Sequence, residues 1–220
     1  MSDGGPGEFS DIQMARASLI LSLRQHGIME PEILRAFESV PHEVFVPLEF
    51  EQYAYRQGSL PIAHGQSITS PIHLAAMLVA LDPFKANKVL EIGTGSGYSA
   101  ALLGHLAKRL FTLERIQDLA RTAEKNWKKA GTNNVIGFHQ DGLAGLDAQQ
   151  PFDRILLSGS VEEVPQELLG QLKDGGILVA PVGMVDGKQT ITRIVRAGER
   201  YVASDHGQIR LAELIPGKMR

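Results

Sequence analysis

The chain of 220 residues contains no cysteine, which excludes disulfide bonds, thiolate nucleophiles and cysteine-based metal sites. It also lacks any apolar stretch close to the roughly 20 residues that span a bilayer. No long run of lysine or arginine occurs and the formal net charge is −3, so neither nucleic acid nor a membrane is an expected partner. The seven histidines are scattered without metal-ligand spacing, so no metal is expected. We therefore expect a cytoplasmic, monomeric protein that is stabilised by packing alone.

The composition is that of a globular chain, because 43% of the residues are hydrophobic and 21% are charged, enough to bury a core. The length fits a single domain covering residues 1–220. Residues 1–9 are small, acidic and rich in glycine and proline, which predicts a flexible leader. After it we expect a helical and substrate-binding segment at 10–85, a ligand-binding core at 86–183 and edge strands at 184–220.

Hydrophobic periodicity predicts the order of helices and strands. Three helices come first, at residues 10–26, 31–39 and, after the N-cap Ser70, 71–81. Strands then alternate with helices: the strands are predicted at 89–92, 110–113, 135–138, 152–157 and 177–182, and the helices at 98–107, 117–130 and 164–172. Two final strands, 190–196 and 201–210, have no helix between them. This pattern is typical of a doubly wound, Rossmann-like α/β fold with an N-terminal helical extension and a C-terminal antiparallel hairpin.

A glycine-rich loop joins the first strand of this alternation to the next helix. Gly93, Gly95 and Gly97 allow a tight turn and let a ligand approach the backbone closely. Their spacing is Gly-x-Gly-x-Gly, not the Gly-x-Gly-x-x-Gly that seats a pyrophosphate, and Glu91 just before them would repel a diphosphate. An acidic residue there suits a cationic ligand tail, such as the ammonium and sulfonium groups of S-adenosyl-L-methionine (AdoMet). The loop therefore favours AdoMet over NAD.

Two further carboxylates follow the next two strands. Glu114 ends the second strand, where it can accept hydrogen bonds from ribose hydroxyls, and Asp141 follows the third, where it can accept from an adenine amino group beside Gly142. Parallel strands end at one edge of the sheet, so these groups should line one nucleoside pocket. The predicted cofactor-binding residues are Glu91, Gly93, Thr94, Gly95, Gly97, Glu114, Arg115, Asp141 and Gly142.

Beyond the loop, four stretches carry a resemblance to a known family: residues 40–47 (VPHEVFVP), 60–71 (LPIAHGQSITSP), 141–142 (DG) and 175–183 (GGILVAPVG). From about residue 14 to residue 182 the chain resembles the protein-L-isoaspartate (D-aspartate) O-methyltransferases. The resemblance implies methyl transfer from AdoMet to the free carboxylate of L-isoaspartyl residues, with damaged proteins and peptides as partners. A carboxylate is already ionised at neutral pH, so such an enzyme needs alignment and exclusion of water but no general base.

The segment before the third helix is the candidate substrate site. Its hydroxyls lie just before a helix N-terminus, whose free N–H groups favour a carboxylate. We predict that Thr69 is the catalytic residue and hydrogen-bonds the substrate carboxylate. The other predicted substrate-binding residues are Ile62, His64, Ser67, Ile68 and Ser70.

Three positions depart from the family pattern. Thr69 stands where the family usually has serine, residues 209–214 (IRLAEL) replace a strand resembling VRFVPL, and residues 55–58 (YRQG) replace a stretch that is commonly acidic. The alternatives are a carboxyl methyltransferase of the same family with another acceptor and a non-catalytic AdoMet-binding protein. An NAD-dependent oxidoreductase is disfavoured by the loop spacing.

Overall fold

The computed structural model describes residues 11–84, 86, 88–184 and 186–219. The predicted leader, and Ser10 at the predicted start of the first helix, lie outside the described residues. The helices are α1 Asp11–Gln25, α2 Pro31–Ser39, α3 Pro71–Leu81, α4 Tyr98–Leu106, α5 Gln117–Ala130 and α6 Gln166–Gly170. The strands are β1 Leu60–Pro61, β2 Ser67–Ile68, β3 Val89–Ile92, β4 Leu110–Glu114, β5 Val135–His139, β6 Phe152–Leu157, β7 Leu172–Gly183, β8 Gln189–Ala197 and β9 Arg200–Ile209.

Seven strands form one sheet in the order β5-β4-β3-β6-β7-β8-β9. Strands β3 to β7 pair in parallel, whereas β8 and β9 add an antiparallel hairpin at one edge. From β3 the chain moves outward through β4 to β5, and then returns to β6 on the other side of β3. The carboxyl ends of β3 and β6 therefore form a topological switch point, where such sheets bind ligands. The predicted Rossmann-like fold with its C-terminal hairpin is confirmed.

Local sequence signals set several of the helix ends. Prolines start α2 and α3, at Pro31 and Pro71, where the missing N–H costs nothing. Ser70 caps α3, because its hydroxyl accepts the backbone N–H of His73 at 3.4 Å. At the other end of a helix, Gly131 closes α5 with a left-handed φ of 71°.

Two predicted boundaries around α6 are wrong. The helix predicted at 164–172 is only five residues long, because the extended backbone of Pro165 precedes it and Leu172 already pairs with Phe152 in the sheet. The strand predicted at 177–182 correspondingly begins at Leu172, with a register shift between Phe152 and Arg154. Long-range strand pairing overrides the local helical pattern here.

The stretch between α2 and α3 contains several short elements. It contains short 3-10 helices at His42–Phe45 and Leu48–Tyr53, followed by the antiparallel ribbon of β1 and β2. Ile62, at the turn of this ribbon, has its Cδ1 atom 3.7 Å from the point where a Cβ on Gly95 would stand. The ribbon therefore lies over the glycine loop.

The sheet is covered on both faces. On one face Tyr98 packs beside Phe37 and Phe45, and on the other Phe111 packs against Phe152. Among the described residues, no helix combines the length and apolar character needed to cross a membrane.

Candidate active site

A pocket lies at the carboxyl ends of β3, β4 and β6, where the topology predicts it. Its empty volume is about 1000 Å³, including the open space at its mouth. The segments that line it are 92–96 after β3, 113–116 after β4, 141–143 after β5, 158–159 after β6, 66–69 from the ribbon and 211–215 from the C-terminal segment.

The glycine loop forms the floor of the pocket. Gly93, Gly95 and Gly97 have φ values of 91°, 55° and 89°, in the left-handed region that side chains disfavour. Gly93 and Gly95 line the pocket, and their bare backbone leaves room for a ligand. Gly97 lies behind the loop, where its carbonyl accepts the indole N–H of Trp127 at 2.9 Å. The predicted glycines are thus brought together, but Gly97 supports the loop from beneath.

Glu114 ties the glycine loop to the end of β4. Its carboxylate accepts the backbone N–H of Gly95 at 2.8 Å and that of Ile116 at 2.9 Å. The side chain is buried but borders the pocket. A carboxylate has about four acceptor positions, so Glu114 keeps lone pairs for ribose hydroxyls while its orientation is fixed by the two backbone bonds.

Asp141 and Gly142 line the pocket at the end of β5. Asp141 accepts the backbone N–H of Leu143 at 3.0 Å and that of Gly217 at 2.6 Å. A Cβ on Gly142 would stand 2.4 Å from Cγ2 of Ile92, so glycine is required there for packing against β3. The pair was expected to face adenine, and the structure adds a second contact of Asp141, with the C-terminal segment.

The C-terminal segment, residues 211–219, crosses the strand ends like a strap, and we call it the strap. Ser160 anchors its first part, donating its N–H to the Ala212 carbonyl at 2.8 Å and accepting the Leu214 N–H at 2.9 Å. Arg115 anchors its end, donating from Nε to the Gly217 carbonyl at 2.9 Å. The strap therefore roofs the pocket.

Glu91 differs from the sequence-based expectation. Its side chain is completely buried and does not line the pocket. Its two oxygens accept the hydroxyls of Ser158 at 2.9 Å and of Thr112 at 2.8 Å. Burial raises the pKa of Glu91 to about 7, although these hydrogen bonds act in the opposite direction. The structure therefore places this carboxylate behind the pocket lining, and its direct contact with a cationic ligand tail stays a prediction.

The predicted substrate residues divide into two groups. Ser67, Ile68 and Thr69 line the same pocket as the glycine loop. Ser70 is occupied with capping α3, and the Nε2 atom of His64 lies 3.4 Å from the carboxylate of Asp118 on α5.

Ile62 lies between the pocket and a neighbouring groove, where it covers Gly95. Ile62, His64 and Ser70 thus position the ribbon and α3, whereas Ser67, Ile68 and Thr69 have direct access to the pocket.

Comparison with known proteins places the site in a family. The family described as protein-L-isoaspartate(D-aspartate) O-methyltransferase (PCMT) matches residues 14–215. The chain belongs to this family. Protein-L-isoaspartate O-methyltransferase of Xanthobacter autotrophicus is 40% identical over 211 residues, covering 96% of each chain. That of Azorhizobium caulinodans is 42% identical over 202 residues, covering 92% of this chain and 93% of the relative.

Solved structures show the same fold. A protein-L-isoaspartate O-methyltransferase superposes with a TM-score of 0.80 at 26% identity, over 90% of this chain and 65% of that one. A putative protein-L-isoaspartate O-methyltransferase from Plasmodium falciparum, in complex with S-adenosyl-L-homocysteine, gives a TM-score of 0.79 at 20% identity, over 91% and 98%. The match to the family extends to residue 215, so it includes most of the strap.

The pocket fits AdoMet, the methyl donor of the PCMT family. A Cβ on Gly93 would stand 3.2 Å from Leu214 of the strap, so only bare backbone keeps the space between floor and roof open. Glu114 and Asp141 supply carboxylate oxygens that can accept hydrogen bonds from an adenosine. Because both residues are acidic, neither repels the positively charged end of AdoMet. Thr94, Arg115 and Gly142 complete the predicted cofactor residues that border the pocket.

Some site residues were missed by sequence reasoning. Ser158 lies far along the chain from the glycine loop, and Thr112 is inside a strand. A hydroxyl directly after β6, at the same sheet edge as the other groups, was an available signal for Ser158. For the strap, residues 209–214 stood out as the counterpart of a family strand, but its backbone contacts with Ser160 gave no signal in the sequence.

Proposed function

We propose that this chain transfers the methyl group of AdoMet to the free carboxylate of L-isoaspartyl residues in damaged proteins and peptides. The observation that carries the proposal is Thr69, which lines the same pocket as the glycine loop and precedes the N-terminus of α3. A carboxylate at Thr69 would meet a hydroxyl donor and the positive end of a helix. Family membership supports the acceptor.

Bound AdoMet supplies an electrophilic methyl group on a sulfonium, and the protein supplies alignment. Glu114 and Asp141 orient the adenosine, while Thr69 donates its hydroxyl proton to one oxygen of the substrate carboxylate. The strap covers the pocket and excludes water, which strengthens these polar contacts. The acceptor carboxylate is already ionised at neutral pH, so no side chain has to remove a proton.

The same proposal covers the oligomeric state, the compartment, the partners and the roles of the chain segments. The chain acts as a monomer in the cytoplasm, on proteins and peptides and not on nucleic acid. Its net charge of −3 and its lack of cysteine support these choices. Residues 10–85 recognise substrate, 86–183 bind the methyl donor and 184–220 close the site as parts of one domain.

The test measures methyl transfer from labelled AdoMet to two peptides that differ only in having L-isoaspartyl or L-aspartyl at one position. We expect transfer to the isoaspartyl peptide alone. Thr69→Val should lower turnover about 10- to 100-fold, because a hydrogen bond to a charged group contributes roughly 1.5–3 kcal/mol. Thr69→Ser, which keeps the hydroxyl, is the matched control and should retain most activity. Unchanged turnover in Thr69→Val would show that this hydroxyl does not hold the acceptor.

A carboxyl methyltransferase with another acceptor is the second candidate. The altered C-terminal strand favours it, because residues 211–215 line the pocket and residues 209–214 differ from the strand resembling VRFVPL that the family carries there. Methylation of a panel of small acids without the isoaspartyl peptide would support this candidate. AdoMet binding without any transfer would indicate a non-catalytic protein.

A further inference from the structure

A chain of four polar side chains runs beneath the pocket wall. Ser158 donates to one oxygen of Glu91 at 2.9 Å and Thr112 donates to the other at 2.8 Å. The hydroxyls of Thr112 and Thr94 are 2.6 Å apart. Glu91 and Thr112 are fully buried, whereas Ser158 and Thr94, at the two ends of the chain, line the pocket. A buried carboxyl is thus connected to the pocket at two points.

The number of protons available to these four side chains fixes which group donates each hydrogen bond. An ionised carboxylate has no proton, and each hydroxyl has one. When Glu91 is ionised, Ser158 and Thr112 must both donate to it. Thr112 then has no proton left for Thr94, so Thr94 is the donor between the two threonines. Ser158 and Thr94 consequently present only lone pairs to the pocket.

We propose that Glu91 is a positioning residue whose ionised carboxylate fixes the hydroxyls of Ser158 and Thr94 as acceptors, and so makes the pocket selective for a cationic ligand. The inference rests on the proposed binding of AdoMet and goes beyond it. The amino-acid end of AdoMet carries an ammonium, a sulfonium and a carboxylate, a net charge of +1. Its N–H donors match acceptor-only hydroxyls, and its charge favours ionised Glu91.

Protonation of Glu91 would reverse this arrangement. A protonated carboxyl donates one hydrogen bond, which frees Ser158 or Thr94 to point a proton at the ligand. Burial and, to a smaller extent, the charge of Glu114 together raise the pKa of Glu91 to about 7, so both forms exist near neutrality. The groups that face Glu91 are Thr112 and Glu114 of β4, Ser158 after β6 and Ser99 of α4. Of these, Glu114 alone is charged, and its charge favours the protonated form.

Binding of a cation should therefore expel a proton from Glu91. If AdoMet lowers the pKa of Glu91 from about 7 to about 6, about half a proton leaves per ligand at pH 6.5. The affinity for AdoMet then rises about fourfold between pH 5.5 and pH 7. Below pH 7 the ammonium of the ligand stays protonated, so it does not contribute to this dependence.

Isothermal titration calorimetry in two buffers of different ionisation enthalpy measures the released proton directly. The full chain is titrated between pH 5.5 and pH 7, without peptide, with AdoMet and with 5′-methylthioadenosine, an uncharged ligand that keeps the adenosine. We expect proton release with AdoMet only. In Glu91→Gln the release and the pH dependence should disappear. In Ser158→Ala, AdoMet affinity should fall severalfold while methylthioadenosine affinity stays unchanged.

The proposal is overturned if the unmodified chain binds AdoMet without releasing protons, or if Glu91→Gln releases as many. If circular dichroism shows that Glu91→Gln does not fold, the Ser158→Ala variant provides the test. Equal losses of affinity for AdoMet and for methylthioadenosine in that variant overturn the proposal. Because no peptide is present, a failure of methyl transfer to isoaspartyl peptides in a parallel assay leaves this measurement intact. A failure to bind AdoMet overturns both proposals.

Discussion

Gly97 offers a quantitative test of how the glycine loop is held. Its φ of 89° is left-handed, and a Cβ at this position would stand 2.6 Å from Nε1 and 3.0 Å from Cε2 of Trp127. The indole cannot move away easily. Its N–H is hydrogen-bonded to the Gly97 carbonyl. The far edge of the ring packs on Gly137, so closely that a Cβ added there would lie 3.0 Å from the ring. Gly97→Ala should therefore cause both backbone strain and steric overlap.

The two costs can be separated with Gly131→Ala. Gly131 is also left-handed, with a φ of 71°, but nothing lies within 4 Å of an added Cβ. Backbone strain alone should cost about 1 kcal/mol there. Overpacking against a buried side chain adds about 2 kcal/mol. We therefore expect the free energy of unfolding to fall by about 1 kcal/mol in Gly131→Ala and by about 3 kcal/mol in Gly97→Ala.

Urea unfolding followed by the fluorescence of Trp127, the one tryptophan of the chain, measures both values. With a slope of about 2 kcal/mol per molar urea, the midpoint of Gly97→Ala should lie about 1 M below that of Gly131→Ala. Equal midpoints would refute the claim that the loop is packed tightly against the indole.

Other positions give independent predictions. Ser70→Ala removes the cap of α3 and should lower the free energy of unfolding by about 1 kcal/mol in urea. Gln189→Ala breaks the contacts of Gln189 with both backbone groups of Leu211, so it should loosen the strap and weaken AdoMet binding about tenfold by calorimetry.

Burial lowers the pKa of His42 to about 3, below its unfolded value of about 6.5. Stability should therefore fall as the pH drops below 6.5, by about 1.4 kcal/mol per pH unit. The pKa of Glu91 is raised to about 7, so this residue makes stability increase as the pH falls from about 7 to about 4.5, which is the opposite slope. His42→Phe should thus remove the loss in acid and Glu91→Gln should steepen it; parallel pH profiles for the two variants in urea titrations would contradict this.

The parts of the fold that the sequence predicts well are those with local causes. Helix α2 has the predicted bounds, 31–39, because Pro31 and its apolar spacing act within a few residues. The error around α6 has a distant cause, since the pairing of Leu172 with Phe152 joins residues whose relation no local window contains. The path of the strap also has a distant cause, because Ser160 holds Ala212 and Leu214 through backbone groups.

The site shows the same division, since its place could be predicted but some of its contacts could not. Gly93, Glu114 and Asp141 meet because parallel strands end at one edge, whatever separates them along the chain. Glu91 lies behind the pocket lining because it is the third residue of the four in β3, while Glu114, which borders the pocket, is the last residue of β4. A side chain inside a strand projects from the face of the sheet, which α4 covers here. The depth of a carboxylate within its strand therefore decides whether it meets a ligand directly or acts through the hydroxyls of its neighbours.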